Sequence, residues 1–343
     1  MPESLVLITR RIPPAGLALL DDAGARTRVL EPDPDRIVDR AALIGAVQHA
    51  AVLLTQLTER IDREVMEASA GLRGIATMAV GYNNIDMDAA NAMGIPVSNT
   101  PGVLTETTAD LTFALLLGIA RRIREADAYM RAGKYRIWGP ELLLGTDVGT
   151  GPDGSRKTLG IIGYGRIGRA VARRARGFDM DIIAYRSGRT GSADDGTPYV
   201  SLDDLLTRSD FVSIHAPLNH DTRHLIGARE LKLMRDSAFL INVGRGEIVD
   251  ERALVAALRS ATIAGAALDV YEYEPAMADG LADCHNVLLA PHIGSASVAT
   301  RDRMAAIAAR NALAHLRGER APEVVNPAVY DSAAYRARLE SMS

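Results

Sequence analysis

Short apolar runs separated by helical stretches restrict the fold of this chain more than any other feature. "LVLIT", "AVLLT", "GIATMAV" and "IPVSN" fall within residues 1–99, and "LGIIG", "DIIAY", "FVSIHA", "AFLINV", "GAALDV" and "VLLAPH" follow after residue 158. Strands that alternate with helices build parallel βαβ units and a doubly wound α/β sheet. The runs are apolar throughout rather than at every second position, as a sheet covered by helices on both faces requires. At 343 residues the chain has room for two such domains, at roughly 100–200 residues each.

Between the two sets, "LTETTADLTFALLLGIARRIREADAYMRAGKY", residues 104–135, reads as one long helix with a polar start and an Arg-rich end. A crossing helix or a subunit interface are its natural roles. "SASVATRDRMAAIAARNALAHLRGE" reads as a second long helix after the last strand, opened by Ser and Thr caps and returning the chain to the first domain. "GTDVGTGPDGSR", residues 145–156, reads as loop.

Apolar residues make up 48% and charged residues 24%, with a net charge of −4, so neither nucleic acid nor a membrane is an expected partner. Cationic residues are almost all Arg, Lys occurring only at 134, 157 and 232. Cys284 is the single cysteine, which excludes an intrachain disulfide and suits a reducing cytoplasm. Its setting, "LADCHNVLLAPH", is the approach to a buried strand and argues for a structural role. "MPESLVLITRRIPP" lacks the basic and apolar regions of a signal peptide, and "FALLLGIA" is too short to span a bilayer. A soluble, cytoplasmic protein is expected.

In "TLGIIGYGRIGRAVARRARGF" a strand leads through Gly163, Gly165 and Gly168 into a helix. G-x-G-x-x-G in that setting is a dinucleotide-binding turn. Gly163 permits the tight turn, Gly165 lets backbone N–H groups approach a pyrophosphate, and Gly168 lets the helix pack on the strand. An Asp or Glu at the end of the next strand would accept the ribose hydroxyls of NAD. "IIAYRSGRT" offers Arg186, Ser187, Arg189 and Thr190 instead. Guanidinium groups pair with a 2′-phosphate that a carboxylate would repel, so NADP(H) is favoured over NAD(H), which stays possible. Asp194 and Asp195 come too late to replace the missing acid.

Three further motifs end strands of the same sheet, where ligands of such folds bind. "INVGRGEIVDERAL" places Arg245 between glycines, suited to a small carboxylate and suggesting close approach by a ligand. "AALDVYEYEP" offers Asp269, Glu272 and Glu274, and "LAPHIGSAS" offers His292. Reduction of a 2-keto acid needs a proton donor near neutral pH, which His supplies, and an adjacent carboxylate such as Glu274 would orient it. His49, His220, His224, His285 and His315 sit in helical or loop settings without a converging Arg or acid, and His215 reads as structural. No metal site is expected.

With these motifs in view, the chain resembles the D-isomer-specific 2-hydroxyacid dehydrogenase family over nearly its whole length. "VGYNNID", "NTPGVLTETTADLTFALLL", "TLGIIGYGRIG", "HAPLNHDTRHLI", "INVGRGEIVDE", "ALDVYEYEP" and "PHIGSAS" carry the likeness. "AVGYNNIDMDAA", "GVLTETTADL" and "WGPELLLGTDV" point within it to the glyoxylate/hydroxypyruvate reductase branch. The resemblance implies two Rossmann-like doubly wound domains. Residues 100–295 would be an NAD(P)-binding domain inserted into a flavodoxin-like substrate domain of residues 1–99 and 296–330. Residues 104–135 would then serve a homodimer.

The same resemblance implies the site. Arg245 would bind the substrate carboxylate and carbonyl, His292 would be the acid/base and Glu274 its partner. Val80 and Gly81 would receive the carboxylate on backbone N–H groups, and Trp138 would either shape substrate choice or serve as an interface residue. Around the dinucleotide it places Thr108, Arg166, Ile167, Pro217, Thr222, Val243, Gly244, Asp269 and Gly294, with Asp269 on the nicotinamide carboxamide. Two departures stand out: an insertion, "GTGPDGSR", expected to form an exposed hairpin-like loop, and Gly244 where the family usually has Ala. The implied reaction is reduction of glyoxylate or hydroxypyruvate by NADPH. Phosphoglycerate, formate and phosphite dehydrogenases share the motifs, and a dinucleotide-sensing protein without turnover is a reading from another class.

Overall fold

The computed structural model describes residues 5–342 apart from 32, 34 and 35. In chain order these form β1 (Leu5–Arg10), α1 (Pro14–Asp22), β2 (Arg26–Glu31), α2 (Arg40–Val47), β3 (Val52–Thr55), α3 (Arg63–Glu67), β4 (Gly74–Thr77), α4 (Met87–Ala92) and β5 (Val97–Ser98). There follow α5 (Thr105–Ala120), α6 (Ile123–Arg131), β6 (Thr158–Ile162), α7 (Arg166–Arg176), β7 (Asp181–Tyr185), α8 (Leu202–Arg208), β8 (Phe211–Ile214), α9 (Ala228–Leu233) and β9 (Phe239–Asn242). After these come α10 (Glu251–Arg259), β10 (Gly265–Leu268), β11 (Val287–Leu289), α11 (Val298–Arg317) and α12 (Ala333–Met342). The chain forms two compact units, Met1–Leu104 with Ala296–Ser343, and Thr105–Ser295.

The first unit holds a parallel sheet in the order β2-β1-β3-β4-β5. Its apolar strands divide their side chains by the two-residue period of a strand. Val6, Ile8, Val52, Leu54 and Ala76 pack with Met304, Ala305, Ala308 and Ala312 of α11 on one face. Leu7, Leu53 and Ile75 pack with Leu43, Val65, Met66 and Ala89 of the helices on the other. An uninterrupted apolar run is therefore two half-cores in one strand. Gly74 opens β4 against His315 of α11, where a Cβ would stand 2.4 Å from the ring. Burial keeps that imidazole neutral, its pKa pushed down to about 4, and its Nε2 meets Ser98 Oγ at 3.0 Å.

One strand was not expected. β2 ("RTRVLE") has no apolar run, and Arg26, Thr27 and Arg28 are exposed. It is an edge strand, held by parallel pairing to β1 from Leu5↔Arg26 onward. Such a strand needs a partner backbone rather than a hydrophobic pattern, so it leaves little trace in sequence.

The second unit holds six parallel strands in the order β11-β10-β9-β8-β6-β7. The order reverses between β6 and β8, which makes their carboxyl ends the crevice where open α/β sheets bind ligands. The insertion closes as a hairpin: Thr150 pairs antiparallel with Arg156, and the Gly151 N–H donates to Ser155 O at 2.8 Å.

The single helix expected over residues 104–135 is two, α5 and α6. Arg122 takes a left-handed φ of 52°, and the Ala120 carbonyl accepts from the N–H of Thr146 at 2.9 Å. Chain returning from residue 145 thus caps α5, and Arg122 restarts the helix by donating to Glu125 at 2.9 Å. No Gly or Pro marks the break, so periodicity alone runs through it.

Candidate active site

The glycine turn lies where β6 gives way to α7. Gly163 has a φ of 92°, and a Cβ on it would come within 2.4 Å of Ala216 N in the loop after β8. Gly168 is pressed on Gly163, a Cβ there standing 2.4 Å from the Gly163 carbonyl. Gly165 differs: a Cβ on it would meet nothing within 4 Å, and no side chain caps α7. The first N–H groups of the helix, from Arg166 and Ile167 onward, have no intrahelical acceptor and carry the positive end of its dipole. Two glycines are therefore required by packing and the third leaves open a cradle for an anion. The residues fit a dinucleotide pyrophosphate.

Tyr164, between the first two glycines, is fully buried and donates to Asp195 Oδ2 at 2.7 Å. Asp195 also accepts from Arg176 at 3.0 Å. Burial alone would raise its carboxyl, but the Tyr164 and Arg176 hydrogen bonds hold it well below the ordinary range. The aspartate that comes too late for a ribose thus ties down the segment after β7.

That segment begins with Arg186, Ser187, Gly188 and Arg189, a tight turn in which the Arg189 N–H donates to Arg186 O at 3.0 Å and Gly188 takes a φ of 70°. All of its side chains are exposed. On α7, Arg169, Arg173, Arg174 and Arg176 pair with Asp194, Glu106, Asp110 and Asp195. Among the described residues Arg166, Arg186 and Arg189 pair with no carboxylate. Those three cations lie at the glycine turn and at the end of β7.

Pro217 and Thr222 lie in the loop after β8. The Thr222 hydroxyl donates to Pro217 O at 2.7 Å and accepts from the Asn219 N–H at 2.8 Å, so it is engaged within its own loop. Val243 and Gly244 follow β9. Asn242, the one polar residue in that strand's "FLIN", accepts from the Gly244 N–H at 3.0 Å and donates to Arg245 O at 2.9 Å. Sequence reading passed over Asn242, although a buried amide at a strand end is a visible signal.

Arg245 is half-buried, and burial draws its guanidinium below the ordinary arginine value, with the charges of Glu274 and Glu247 opposing that. The glycines beside it were read as room for a ligand. The structure gives Gly246 a packing reason besides, because a Cβ on it would stand 1.8 Å from the carbonyl carbon of Tyr271. On Gly244 it would stand 3.3 Å from Ala216 O. Backbone packing demands glycine at 246, while at 244 a methyl group meets only a tight contact, and the packing sets Arg245 close to the segment that carries Glu274.

Glu274 Oε2 accepts from His292 Nδ1 at 2.8 Å, and Oε1 accepts from the Tyr271 N–H at 3.0 Å. Burial would raise this carboxyl, but the His292 hydrogen bond and charge, the Tyr271 amide and Arg245 hold it below the ordinary range. With Nδ1 engaged, Nε2 of His292 is the nitrogen free to exchange a proton with a ligand. The histidine backbone sits at a φ of 54°. Asp269 enforces that geometry by accepting from the N–H groups of Ile293 and Gly294, each at 2.7 Å, and Thr108 Oγ1 donates to Gly294 O at 3.0 Å. Burial pushes the Asp269 carboxyl up. Asp269, which the resemblance places on the nicotinamide carboxamide, also holds the loop that carries His292.

One expectation among the histidines changes. His224 was set aside as lacking a converging acid, yet its Nε2 meets Glu272 Oε1 at 2.7 Å. The two residues are far apart in sequence, and only the turn after β10 brings them together. His215 keeps a structural role, its Nε2 on Ser213 Oγ at 2.8 Å and its pKa pushed down to about 3 by burial. Cys284 is buried, its Sγ donating to Gly280 O at 3.4 Å. Trp138 stands 71% exposed in the segment after α6. Val80 and Gly81 follow β4 in the first unit, where Asn99 Nδ2 donates to Val80 O at 2.8 Å.

Residues 113–294 match the model of the D-isomer specific 2-hydroxyacid dehydrogenase NAD binding domain. The glyoxylate reductase of Thermococcus litoralis is 46% identical over 333 residues, covering 95% of this chain and 98% of that one. A protein of known crystal structure from Thermus thermophilus superposes with a TM-score of 0.87 at 42% identity, covering 94% of this chain and 99% of the other. An NADPH-dependent glyoxylate/hydroxypyruvate reductase from Sinorhizobium meliloti, in complex with NADP and malonate, gives a TM-score of 0.80 at 31% identity over 97% and 98% of the two chains. A nicotinamide-dinucleotide turn, the His292–Glu274 pair beside Arg245, and this likeness along nearly the whole chain lead to one conclusion: the protein belongs to the D-isomer-specific 2-hydroxyacid dehydrogenases, NAD(P)-dependent oxidoreductases of 2-hydroxy acids.

Proposed function

We propose that the protein reduces glyoxylate or hydroxypyruvate with NADPH, His292 delivering the proton. The observation that carries the reaction is the His292–Glu274 hydrogen bond of 2.8 Å on the loops after β10 and β11, beside the half-buried Arg245. A reduced nicotinamide dinucleotide, when bound, supplies the hydride. Glu274 fixes the imidazole by its Nδ1, so that Nε2 can give a proton to the alkoxide oxygen developing at C2. Arg245 holds the substrate carboxylate with one arm of its fork and the carbonyl oxygen with the other, which orients C2 and stabilises the growing negative charge. Asp269 keeps His292 in register through the amides of Ile293 and Gly294.

Arg186 and Arg189 carry the cofactor preference. They are exposed guanidiniums without counter-charges at the end of β7, the position where an acid would otherwise read the ribose. The Thermococcus and Sinorhizobium relatives are glyoxylate reductases, and the Sinorhizobium protein was crystallised with NADP. Initial rates with glyoxylate, hydroxypyruvate and pyruvate, each with NADPH and NADH, test the reading. Glyoxylate and hydroxypyruvate with NADPH are expected to be the best pairs, and equal rates with NADH would remove the preference. Arg186→Ala is expected to raise KM for NADPH by about tenfold or more, the loss of one or two charge-assisted hydrogen bonds, and to leave KM for NADH nearly unchanged.

The protein is further proposed to act as a homodimer. Ile123, Met130, Ile137, Trp138 and Leu144 are all more than half exposed on α6 and the segment after it, an apolar surface that a second copy would cover. Sedimentation at a single chain mass would remove this assignment.

A further inference from the structure

Residues 271–278 carry Glu274, yet they form neither helix nor strand and are largely exposed. A carboxylate from α10 holds them. Glu251, only 2% exposed, accepts the N–H of Glu272 on one oxygen and the N–H of Ala278 on the other, each at 2.8 Å. These two amides lie on either side of Glu274. Glu272 returns the contact, its Oε2 accepting from the Glu251 N–H at 3.3 Å and its Oε1 meeting His224 Nε2 at 2.7 Å. A carboxylate is costly to bury without a cation, and no cation is paired with Glu251 among the described residues. Burial accordingly pushes its carboxyl up, while the two amides oppose that.

We propose that Glu251 is a positioning residue for the reaction: it clamps the backbone on both sides of Glu274, so that Glu274 meets His292 Nδ1 in one fixed geometry. The His224–Glu272 pair is the outer tie of the same clamp. The proposal rests on the assignment of Glu274 and His292 made above. Its physical basis is that a catalytic hydrogen bond is only as precise as the groups supporting it, and a carboxylate can accept from two amides where an apolar side chain cannot.

Glu251→Gln preserves shape but replaces one acceptor with an NH2 donor, so one of the two amides faces a donor. In the variant kcat is expected to fall about tenfold to a hundredfold, as small misplacements of catalytic groups do. The dissociation constant for NADPH, read by fluorescence titration, is expected to stay at the wild-type value. The deciding experiment repeats the substitution in a Glu274→Gln background. If Glu251 acts through Glu274, it changes kcat there by no more than about twofold. An equal loss in both backgrounds overturns the proposal and makes Glu251 a stability residue only. A Glu274→Gln variant with wild-type kcat overturns the assignment of Glu274 itself, a distinct result. Should Glu251→Gln fail to fold, His224→Ala at the exposed end of the clamp decides. A smaller fall in kcat that vanishes in the Glu274→Gln background supports the clamp, and an unchanged kcat overturns it.

Discussion

Replacing His292 by Ala is expected to lower kcat about a thousandfold, the order supplied by a positioned general acid, while NADPH binding stays near wild type. The split follows from where the groups lie. The glycine turn and the Arg186–Arg189 turn belong to β6, α7 and the end of β7, whereas His292 follows β11 at the far edge of the sheet. Glu274→Gln should fall between wild type and His292→Ala, because the imidazole remains but loses the carboxylate that orients its Nδ1. The pair also makes a pH-dependent contribution to stability. The folded Glu274 carboxyl lies below its ordinary 4.5. Its contribution is therefore full above that value and is lost as pH falls through the lower folded one. Turnover within a few-fold of wild type in His292→Ala would take His292 out of the mechanism.

Arg245→Ala is expected to cost about 10²–10³ in kcat/KM, shared between a raised KM for the keto acid and a lowered kcat. Both parameters should move because, in the proposed mechanism, one guanidinium would serve two ends of the substrate, the carboxylate in the ground state and the carbonyl oxygen as charge develops. Arg245→Lys should recover little, since an ammonium is a point charge and cannot make two parallel bonds. Loss of the guanidinium also removes one of the charges that keep Glu274 low, so the Glu274 carboxyl should move back up. Steady-state kinetics with glyoxylate at saturating NADPH checks this, and an unchanged KM for the keto acid would show that Arg245 does not hold the carboxylate.

The glycine turn was legible because each position has its own physical demand and its setting, strand before and helix after, can be read locally. His292, Glu274 and Arg245 were legible as residue types at strand ends, and Glu274 as the partner of His292, but the amides that hold these loops in place were not. Asn242 and Glu251 were missed because their partners are backbone amides and carbonyls, which carry no identity in the sequence. His224 and Glu272 were assigned apart for a related reason, since their contact depends on how two loops on one sheet edge fold back. The break between α5 and α6 escaped because its cause, chain arriving from residue 145, is remote from the break itself.

By itself the sequence determined the parallel α/β architecture, the dinucleotide turn, the missing ribose acid and the three residue types of the site. All of these follow from short-range rules of periodicity, glycine conformation and charge. The tertiary structure decided the polar edge strand β2, the split helix, the backbone packing that requires Gly246, and the amides that Asp269 and Glu251 bind. Those features rest on contacts between segments far apart in the chain, where what matters is the position of a backbone group, and position exists only once the sheet has formed.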